Sequence, residues 1–263
     1  MIRVTVLGSG GSAGVPLIGG ADGRGDWGAC DPEEPRNRRS RSSIIVEANG
    51  TVLLVDTSPD LRTQLLANAV VRVDAVLYTH AHADHVVGLD DLRIVNRILG
   101  RPLEVFGTAA TLAEIRSRFP YAFLPWEHPG FFRPVLEPRI VVPGTVSRIG
   151  AIDLLPIDQD HGFSRSLGFR VGGFAYTTDV VALDETTLAL LAGIDTWMIG
   201  CFQRRRHSTH AWLERVLDWI TRVRPRRAVL THMGFDMDWG WMAAHLPAGV
   251  EPACDGMVID LPG

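Results

Sequence analysis

The chain has 263 residues, of which 46% are hydrophobic, and its formal net charge at pH 7 is −4. This length and composition suffice to bury a large core, and no Pro/Ser-rich linker or charge block divides the sequence, which predicts one domain over residues 1–263. The acidic balance disfavours a broad nucleic-acid surface.

The cysteines and the N-terminal residues bear on where the protein works. Cys30, Cys201 and Cys254 lie far apart without C-x-x-C spacing, which argues against a disulfide framework and a thiolate zinc knuckle. The first residues lack the charged and apolar regions of a secretory leader. No apolar run approaches the roughly 20 residues of a transmembrane helix. The sequence therefore predicts a cytoplasmic protein without a membrane partner.

Hydrophobic patterning predicts a chain rich in strands with helices between them. In the first half, strands are expected at 3–7, 43–47, 52–56 and 75–78, and helices at about 60–68, 86–99 and 109–118. In the second half, strands are expected near 140–142, 152–157, 167–171, 174–177, 196–200, 228–230 and 257–259, with a long helix at about 209–223. Two such halves predict an α/β fold in which two sheets pack together and helices cover the outside.

Two long irregular segments interrupt this pattern. Residues 16–42 are rich in Gly, Asp, Pro and Arg, and residues 119–134 hold aromatic side chains among several prolines, including Pro129. Long loops of this kind in a compact protein usually act as lids or binding loops. We expect both segments to face the substrate; the alternative is surface loops packed by their own side chains.

The run Thr79-His80-Ala81-His82-Ala83-Asp84-His85 places four potential metal ligands within six residues. Neutral imidazole is the commonest side-chain ligand of zinc, and the Asp84 carboxylate adds a hard oxygen donor that suits zinc or manganese. An apolar strand precedes the run and a helical pattern follows it. The ligands are therefore expected at the carboxyl end of a strand, where open α/β sheets hold their chemistry.

Three further residues complete a predicted two-metal centre. His161, Asp179 and His232 each follow a strand-like segment. Individually each has an ordinary alternative, such as a capping aspartate or a loop histidine, but with the run they give seven nitrogen and oxygen ligands at strand ends. The glycine-rich stretch 8–14 lacks the helix and acidic residue of a nucleotide-binding unit, so we expect a tight turn beneath the metal site.

These ligands, in this order, resemble the ligand set of the metallo-β-lactamase superfamily: His80, His82, Asp84, His85, His161, Asp179 and His232. The resemblance spans essentially the whole chain. Segments 8–16, 35–39 and 255–257 are most similar to the PhnP-like family of phosphoribosyl 1,2-cyclic phosphate phosphodiesterases. The resemblance implies an αββα four-layer sandwich and two divalent ions, zinc or manganese.

The resemblance also implies a role for each ligand. One ion would be held by His80, His82 and His161, and the other by Asp84, His85 and His232. Asp179 would bridge them, and Asp84 would also take part in catalysis. Asp56, which ends the strand before the run, would orient the ligands from behind.

The implied reaction is hydrolysis of a cyclic ribose phosphate or a related small phosphodiester. Two cations about 3.5 to 4 Å apart can hold a hydroxide and neutralise phosphate oxygens. The leaving alkoxide needs a proton, for which His210, near the start of the predicted helix, is the expected donor and His207 the runner-up. His207, Arg38 and Arg41 are also expected to contact the substrate, although a solvated basic loop is an equal alternative for the arginines.

Three other functions remain as alternatives: a tRNA 3′-processing endonuclease, another nucleotide phosphodiesterase and a non-catalytic metal-binding module. A tRNA 3′-processing endonuclease shares the ligand set but usually inserts an arm between the fifth ligand and the bridging aspartate, and residues 162–178 leave no room for it. A non-catalytic metal-binding module is disfavoured because no ligand is missing. The expected partner is a small phosphodiester rather than an extended nucleic acid, and a homodimer is an open alternative.

The first long loop departs from the family pattern. Relatives often carry a cysteine cluster there that binds a structural zinc, whereas residues 19–30 contain only Cys30. A third, structural metal is therefore not expected, and other contacts must hold the loop.

Overall fold

The computed structural model describes residues 1–127 and 130–262. Pro129, within the predicted loop 119–134, lies outside the described residues.

The described residues form two mixed seven-stranded sheets. In chain order the strands are β1 (Ile2–Gly8), β2 (Ser43–Ala48), β3 (Thr51–Val55), β4 (Ala75–Leu77), β5 (Leu103–Gly107), β6 (Leu136–Ile140), β7 (Ser147–Ile149), β8 (Ile152–Asp160), β9 (Arg165–Val171), β10 (Phe174–Thr177), β11 (Thr196–Gly200), β12 (Arg227–Thr231), β13 (Val250–Pro252) and β14 (Val258–Leu261). The first sheet has the strand order β14-β1-β2-β3-β4-β5-β6. The second sheet has the strand order β13-β12-β11-β10-β9-β8-β7.

Helices lie between these strands. In chain order they are α1 (Leu61–Ala67), α2 (Ala83–Val86), α3 (Leu92–Leu99), α4 (Ala109–Arg118), α5 (Glu185–Leu190), α6 (Leu213–Val223) and α7 (Trp239–His245), with 3₁₀ turns at Pro35–Asn37, Val87–Asp91 and Pro120–Phe123. No helix in the described ranges is long and apolar enough to cross a membrane.

The central strands are apolar at almost every position because both of their faces are buried. In β3, Leu53 and Val55 belong to the core between the sheets, whereas Leu54 belongs to a second core beneath the helices α1, α3 and α4. On the other side, Val216 and Trp219 of α6 cover the second sheet. These four layers confirm the predicted αββα arrangement.

Two predicted elements, at 86–99 and 140–142, differ from the structure in more than the position of one end. The helix expected at 86–99 is divided into α2, a 3₁₀ turn and α3. The division falls at Gly88, whose N–H donates to Thr57 O at 3.0 Å and whose missing side chain makes room for Ser58 O. The strand expected at 140–142 is β6, which ends at Ile140. It is an exposed edge strand containing Pro138, so its sequence lacks the usual alternation.

The sheets bring several strand ends to one edge of the molecule. Strands β3 and β4 are parallel neighbours in the first sheet, and β10, β11 and β12 are parallel in the second. At this edge the sheets are joined directly, because Leu167 N–H of β9 donates to Thr79 O at 2.8 Å. The residues that follow these strands therefore meet in one place.

Candidate metal centre

The structure brings all seven predicted ligands together at this edge. They form two groups, and within each group the potential ligand atoms lie within 4.8 Å of one another. The trihistidine group consists of His80, His82 and His161, and the acidic group consists of Asp84, His85, Asp179 and His232.

Asp179 lies between the two groups. Its Oδ1 atom is 3.7 Å from His161 Nε2 and 3.9 Å from His80 Nε2 in the trihistidine group. The same atom is 3.3 Å from His232 Nε2, and its Oδ2 atom is 3.2 Å from His85 Nε2. One carboxylate therefore faces both groups, which is the placement that a bridging ligand requires.

Neighbouring groups fix the orientation of the imidazoles. His85 Nδ1 lies 2.7 Å from Asp56 Oδ2, and Asp56 also accepts hydrogen bonds from Thr79 N–H at 2.8 Å and Thr79 Oγ1 at 2.7 Å. His161 Nδ1 lies 2.8 Å from Thr209 O. Contacts of this kind set the tautomer and leave Nε2 free to bind a metal. Asp56 thus lies behind the ligands, where the sequence predicted it.

Unpaired buried nitrogen atoms test whether these residues fit a cation. His80 Nε2 and His232 Nε2 are buried and have no hydrogen-bond partner among the described residues. An unsatisfied buried polar atom is costly, and a bound ion would remove that cost. The donor set of imidazole nitrogens and carboxylate oxygens suits zinc or manganese.

Charge points to the same conclusion for the acidic group. Burial opposes ionisation there, yet the imidazoles of His232 and His85 hold the pKa of Asp179 well below its usual value. Burial also opposes a charged His85, but the carboxylates of Asp179, Asp56 and Asp84 raise the pKa of His85 well above its usual value. Three buried or half-buried carboxylates converge on one imidazole and favour a positive charge there, which a divalent cation would supply in place of the proton on His85.

Burial has the opposite effect in the trihistidine group. It lowers the pKa of His80 well below its usual value and also lowers the pKa of His161. Both side chains are therefore neutral near pH 7, which is the form that binds metal ions.

Asp56 and two of the predicted ligands hold strained backbone conformations. Asp56, Asp179 and His232 have φ values of 62°, 49° and 54°, in the left-handed region that non-glycine residues seldom adopt. Such outliers persist where the surroundings over-determine them and are common at functional sites.

The glycine-rich stretch 8–14 lies beside His232, as the sequence predicted. Gly11 N–H donates to Met233 O at 3.0 Å, and Met233 N–H donates to Ser9 O at 2.9 Å. A Cβ atom at Gly11 would lie 2.7 Å from the Phe202 ring and 3.6 Å from His232. Glycine is needed here because the loop packs directly against a ligand.

A cavity of about 270 Å³ opens next to the ligands. Its walls are formed by Ser12, His82, Asp84, His161, Phe163, Ser164, Asp179, Thr209 and His210. Ser12, Ser164 and Thr209 are the hydroxyl-bearing residues of this wall.

His210 faces this cavity and contacts the central carboxylate. Its Nε2 atom lies 3.2 Å from Asp179 Oδ1, and its Nδ1 atom lies 3.0 Å from Thr209 Oγ1. His207 is one step farther away, with its Nδ1 atom 3.4 Å from His210 Nδ1. The structure corrects one detail: helix α6 begins at Leu213, so His210 lies in the preceding loop. His210 is also close enough to His161 and Asp179 to serve as a ligand itself.

Arg38 and Arg41 do not line the ligand cavity. Both line a separate cavity of about 500 Å³. Arg41 Nε pairs with Asp60 Oδ2 at 3.0 Å, and the Arg38 guanidinium lies 5.0 Å from the centre of the Trp27 ring. The predicted contact of these arginines with a substrate at the ligands has no support in this geometry.

The loop 16–42 is held by polar contacts to residues that follow His232. The buried Arg39 guanidinium donates to Met237 O at 2.6 Å and to Asn37 Oδ1 at 3.1 Å. Asp238 Oδ2 accepts from Asn37 Nδ2 at 2.7 Å and from Asp31 N–H at 3.0 Å. These bonds fix the loop without a cysteine cluster.

The described part of the loop 119–134 packs on itself. Trp126 stacks on Phe131 with 4.9 Å between ring centres, and Arg133 donates to Pro125 O at 2.6 Å. No described residue of this loop or of the loop 16–42 lines the ligand cavity. The expectation that both loops face the substrate stays a prediction.

Sequence reasoning missed the cavity residues Ser12, Phe163, Ser164 and Thr209. Their positions gave a signal, because Ser12 lies in the stretch 8–14 expected beneath the metal site, Phe163 and Ser164 follow His161 closely, and Thr209 precedes His210. Thr209 is brought to His161 by the fold alone, across 48 positions of the chain.

Comparison with known proteins identifies the family. Residues 51–233, more than half of the chain, match the family model described as a beta-lactamase superfamily domain. The chain therefore belongs to the metallo-β-lactamase superfamily of hydrolases. This confirms the resemblance noted in the sequence.

Two solved structures resemble the whole chain. A diphosphatase from the PhnP family is 29% identical with a TM-score of 0.89, and the alignment covers 100% of this chain and 98% of that one. Zinc-bound PqqB from Methylobacterium extorquens is 20% identical with a TM-score of 0.79, and the alignment covers 98% of this chain and 100% of that one. The second likeness shows the fold alone.

Curated relatives carry several names. An octanoyltransferase of Porphyromonas gingivalis is 32% identical over 234 residues, which are 88% of this chain and 46% of that protein. A ribonuclease Z of Methanopyrus kandleri is 34% identical over 131 residues, which are 49% of this chain and 43% of that protein. The matches thus span less than half the length of these relatives.

Proposed function

We propose that the protein is a phosphodiesterase that hydrolyses a cyclic ribose phosphate or a related small phosphodiester with the aid of two divalent ions, zinc or manganese. The observation that carries the proposal is the placement of Asp179 between two ligand groups beside a small cavity. Bound ions would supply Lewis acidity toward the phosphate oxygens and produce the nucleophile from water.

The chain's own residues would orient the substrate and move the proton. Asp179 keeps His210 Nε2 at the cavity wall at a distance of 3.2 Å, and Thr209 Oγ1 contacts the opposite ring nitrogen. His210 is thereby positioned to donate a proton from Nε2 to the leaving alkoxide. Loss of an alkoxide without protonation is slow, so this step contributes to the rate.

The size and surroundings of the cavity favour a small substrate. A volume of about 270 Å³ lies just below the range of roughly 300–1,000 Å³ for ordinary ligand pockets. Between His161 and Asp179 the chain forms only β9, β10 and their short turns, without an arm that could hold a folded RNA. A tRNA 3′-processing endonuclease remains the second candidate because of the ribonuclease Z relatives.

The experiment compares three substrates with metal-free protein and with protein loaded with zinc or manganese. The substrates are a ribose cyclic phosphate, bis(p-nitrophenyl) phosphate and a tRNA precursor. We expect chelator-sensitive hydrolysis of the two small diesters and none of the tRNA. His245→Ala changes a histidine that is exposed on α7, outside the cavity. It should keep the activity of the wild type and serves as the control for variants of the cavity histidines.

Two results would overturn the proposal. Cleavage of the tRNA precursor with little turnover of the small diesters would favour the endonuclease. Stoichiometric metal binding without hydrolysis of any substrate would favour a non-catalytic metal-binding module.

A further inference from the structure

Phe163 is an exposed aromatic residue in the wall of the ligand cavity. It lies two residues after His161, and 97% of its surface is accessible to solvent. His161, by contrast, is buried. The phenyl ring therefore stands at the boundary between the ligand groups and solvent, where an entering substrate would meet it.

The turn that carries Phe163 is fixed at both ends. His161 N–H donates to Ser164 O at 3.1 Å, and Gly162 N–H donates to Asp160 Oδ1 at 2.8 Å. Gly162 has a φ of 77° and packs so closely on Thr209 that a Cβ atom would lie 2.8 Å from Thr209 Cγ2. The backbone position of Phe163 is thus tied to the ligand His161, while its ring remains uncovered.

An uncovered aromatic ring on a fixed turn beside a polar cavity has the features of a stacking platform. An aromatic ring that lines a cavity can offer its face to a flat ligand group by stacking. Every nucleobase offers a π-face to such a ring. The hydroxyl groups of Ser12, Ser164 and Thr209 in the same cavity suit the ribose and phosphate oxygens of a nucleotide.

We propose that Phe163 stacks on a nucleobase, so that this site prefers nucleoside-bearing phosphodiesters to ribose phosphates without a base. This inference rests on the proposed function, because it places the phosphate of the nucleotide at the ligand groups. Phe163 acts on specificity and does not take part in the chemical step.

The first test measures binding and does not depend on turnover. The affinities of AMP and ribose 5-phosphate, which differ by the base alone, are measured by calorimetry with zinc-loaded protein. Wild-type protein is expected to prefer AMP. Phe163→Ala should weaken AMP binding about 5- to 150-fold and leave ribose 5-phosphate unchanged, since that is the range found for single base–aromatic stacks.

Matched variants control the binding test. Phe163→Trp keeps a π-face and should retain the preference for AMP. Phe132→Ala removes another exposed phenyl group, 77% accessible and outside the ligand cavity, and should change neither affinity. Equal affinities of the wild type for the two ligands, or an equal loss on both in Phe163→Ala, would overturn the platform.

A second test measures hydrolysis of adenosine 2′,3′-cyclic phosphate and of the methyl riboside 2,3-cyclic phosphate. Phe163→Ala should raise KM for the adenosine compound and leave kcat and the methyl riboside unaffected. Absence of turnover on both, together with a base-dependent loss of AMP binding, would refute the proposed function and leave the platform standing. Turnover of both with identical parameters in the variant would refute the platform alone.

Discussion

The two ligand groups differ in charge and in access to solvent, although they share one edge of the sheets. The trihistidine group contains only imidazoles, and its His82 is exposed. The acidic group has two carboxylates, no exposed member, and Asp56 behind it. From this difference we expect the acidic group to hold an ion more firmly, and the trihistidine group, which has an exposed member, to exchange its ion more readily.

The largest effect is expected for Asp179→Ala, which tests whether one carboxylate serves both ligand groups. The shared carboxylate faces both groups, so its loss should lower metal occupancy in both and reduce hydrolysis to the level of chelator-treated protein. Elemental analysis and a diester assay check this. Asp153→Ala, in an exposed ion pair with Arg148, is the control. Full occupancy of either group in Asp179→Ala would show that the carboxylate serves the other group alone.

His210→Ala tests whether a residue near both groups is a proton donor or a further ligand. As a donor, its loss should slow hydrolysis of a ribose cyclic phosphate by roughly 10²- to 10⁴-fold. A nitrophenyl diester should be affected much less, because nitrophenolate leaves without a proton.

Metal content decides between the two roles of His210. Two retained ions in His210→Ala support the donor, whereas the loss of one ion would make it a ligand, as its distance from Asp179 permits. Equal losses on both substrates with both ions in place would show that His210 positions the phosphate.

Asp56→Asn tests whether the metal affinity of the acidic group can be weakened separately from that of the trihistidine group. Asp56 contacts His85 in the acidic group, so the amide should weaken the affinity of that group by about 10- to 100-fold. The trihistidine group should change little. Competition with a chromogenic chelator measures both affinities, and circular dichroism controls for folding because Asp56 is fully buried. Equal loss of affinity at both groups would show that Asp56 does not act on the acidic group alone.

The smallest effect is expected for the wild-type protein under limiting chelator. Ion release should be biphasic, with affinities that differ on the order of tenfold, equivalent to about 1.4 kcal/mol. His82→Ala should abolish the weaker phase and preserve the stronger one. A single phase in the wild type, or loss of the stronger phase in the variant, would mean that the groups are equivalent or that the order is reversed.

The success of sequence reasoning depended on how local each signal was. The run 79–85 and the strands β1 to β4 could be read from adjacent residues, and the remaining ligands were found because they follow strands whose ends meet. Arg39 was a different case. In the sequence it is one of several arginines near residues 36–41, and only the fold shows that its guanidinium is buried against Met237.

The elements missed in the sequence share one property. Strands β5, β7 and β13 and helices α5 and α7 have only three to seven residues each. Segments of this length contain few positions to establish a period. The equally short β4 was found because its three residues are all apolar, whereas the missed strands each include a charged residue, namely Glu104, Arg148 and Glu251. Phe163 and Thr209 were missed for a related reason, because their importance depends on contacts with residues that are not adjacent to them.

The left-handed backbone at Asp56, Asp179 and His232 has a consequence for evolution. Each such conformation costs a non-glycine residue about 1–3 kcal/mol, whereas glycine adopts it freely. Glycine at Asp56 would relieve this cost, but it would also remove a buried carboxylate that accepts two hydrogen bonds from Thr79 and contacts His85. The unpaired groups and the cavity left behind would offset the relief of strain. Selection for heat resistance alone is therefore not expected to replace Asp56 by glycine, and stability helps to preserve this side chain alongside turnover.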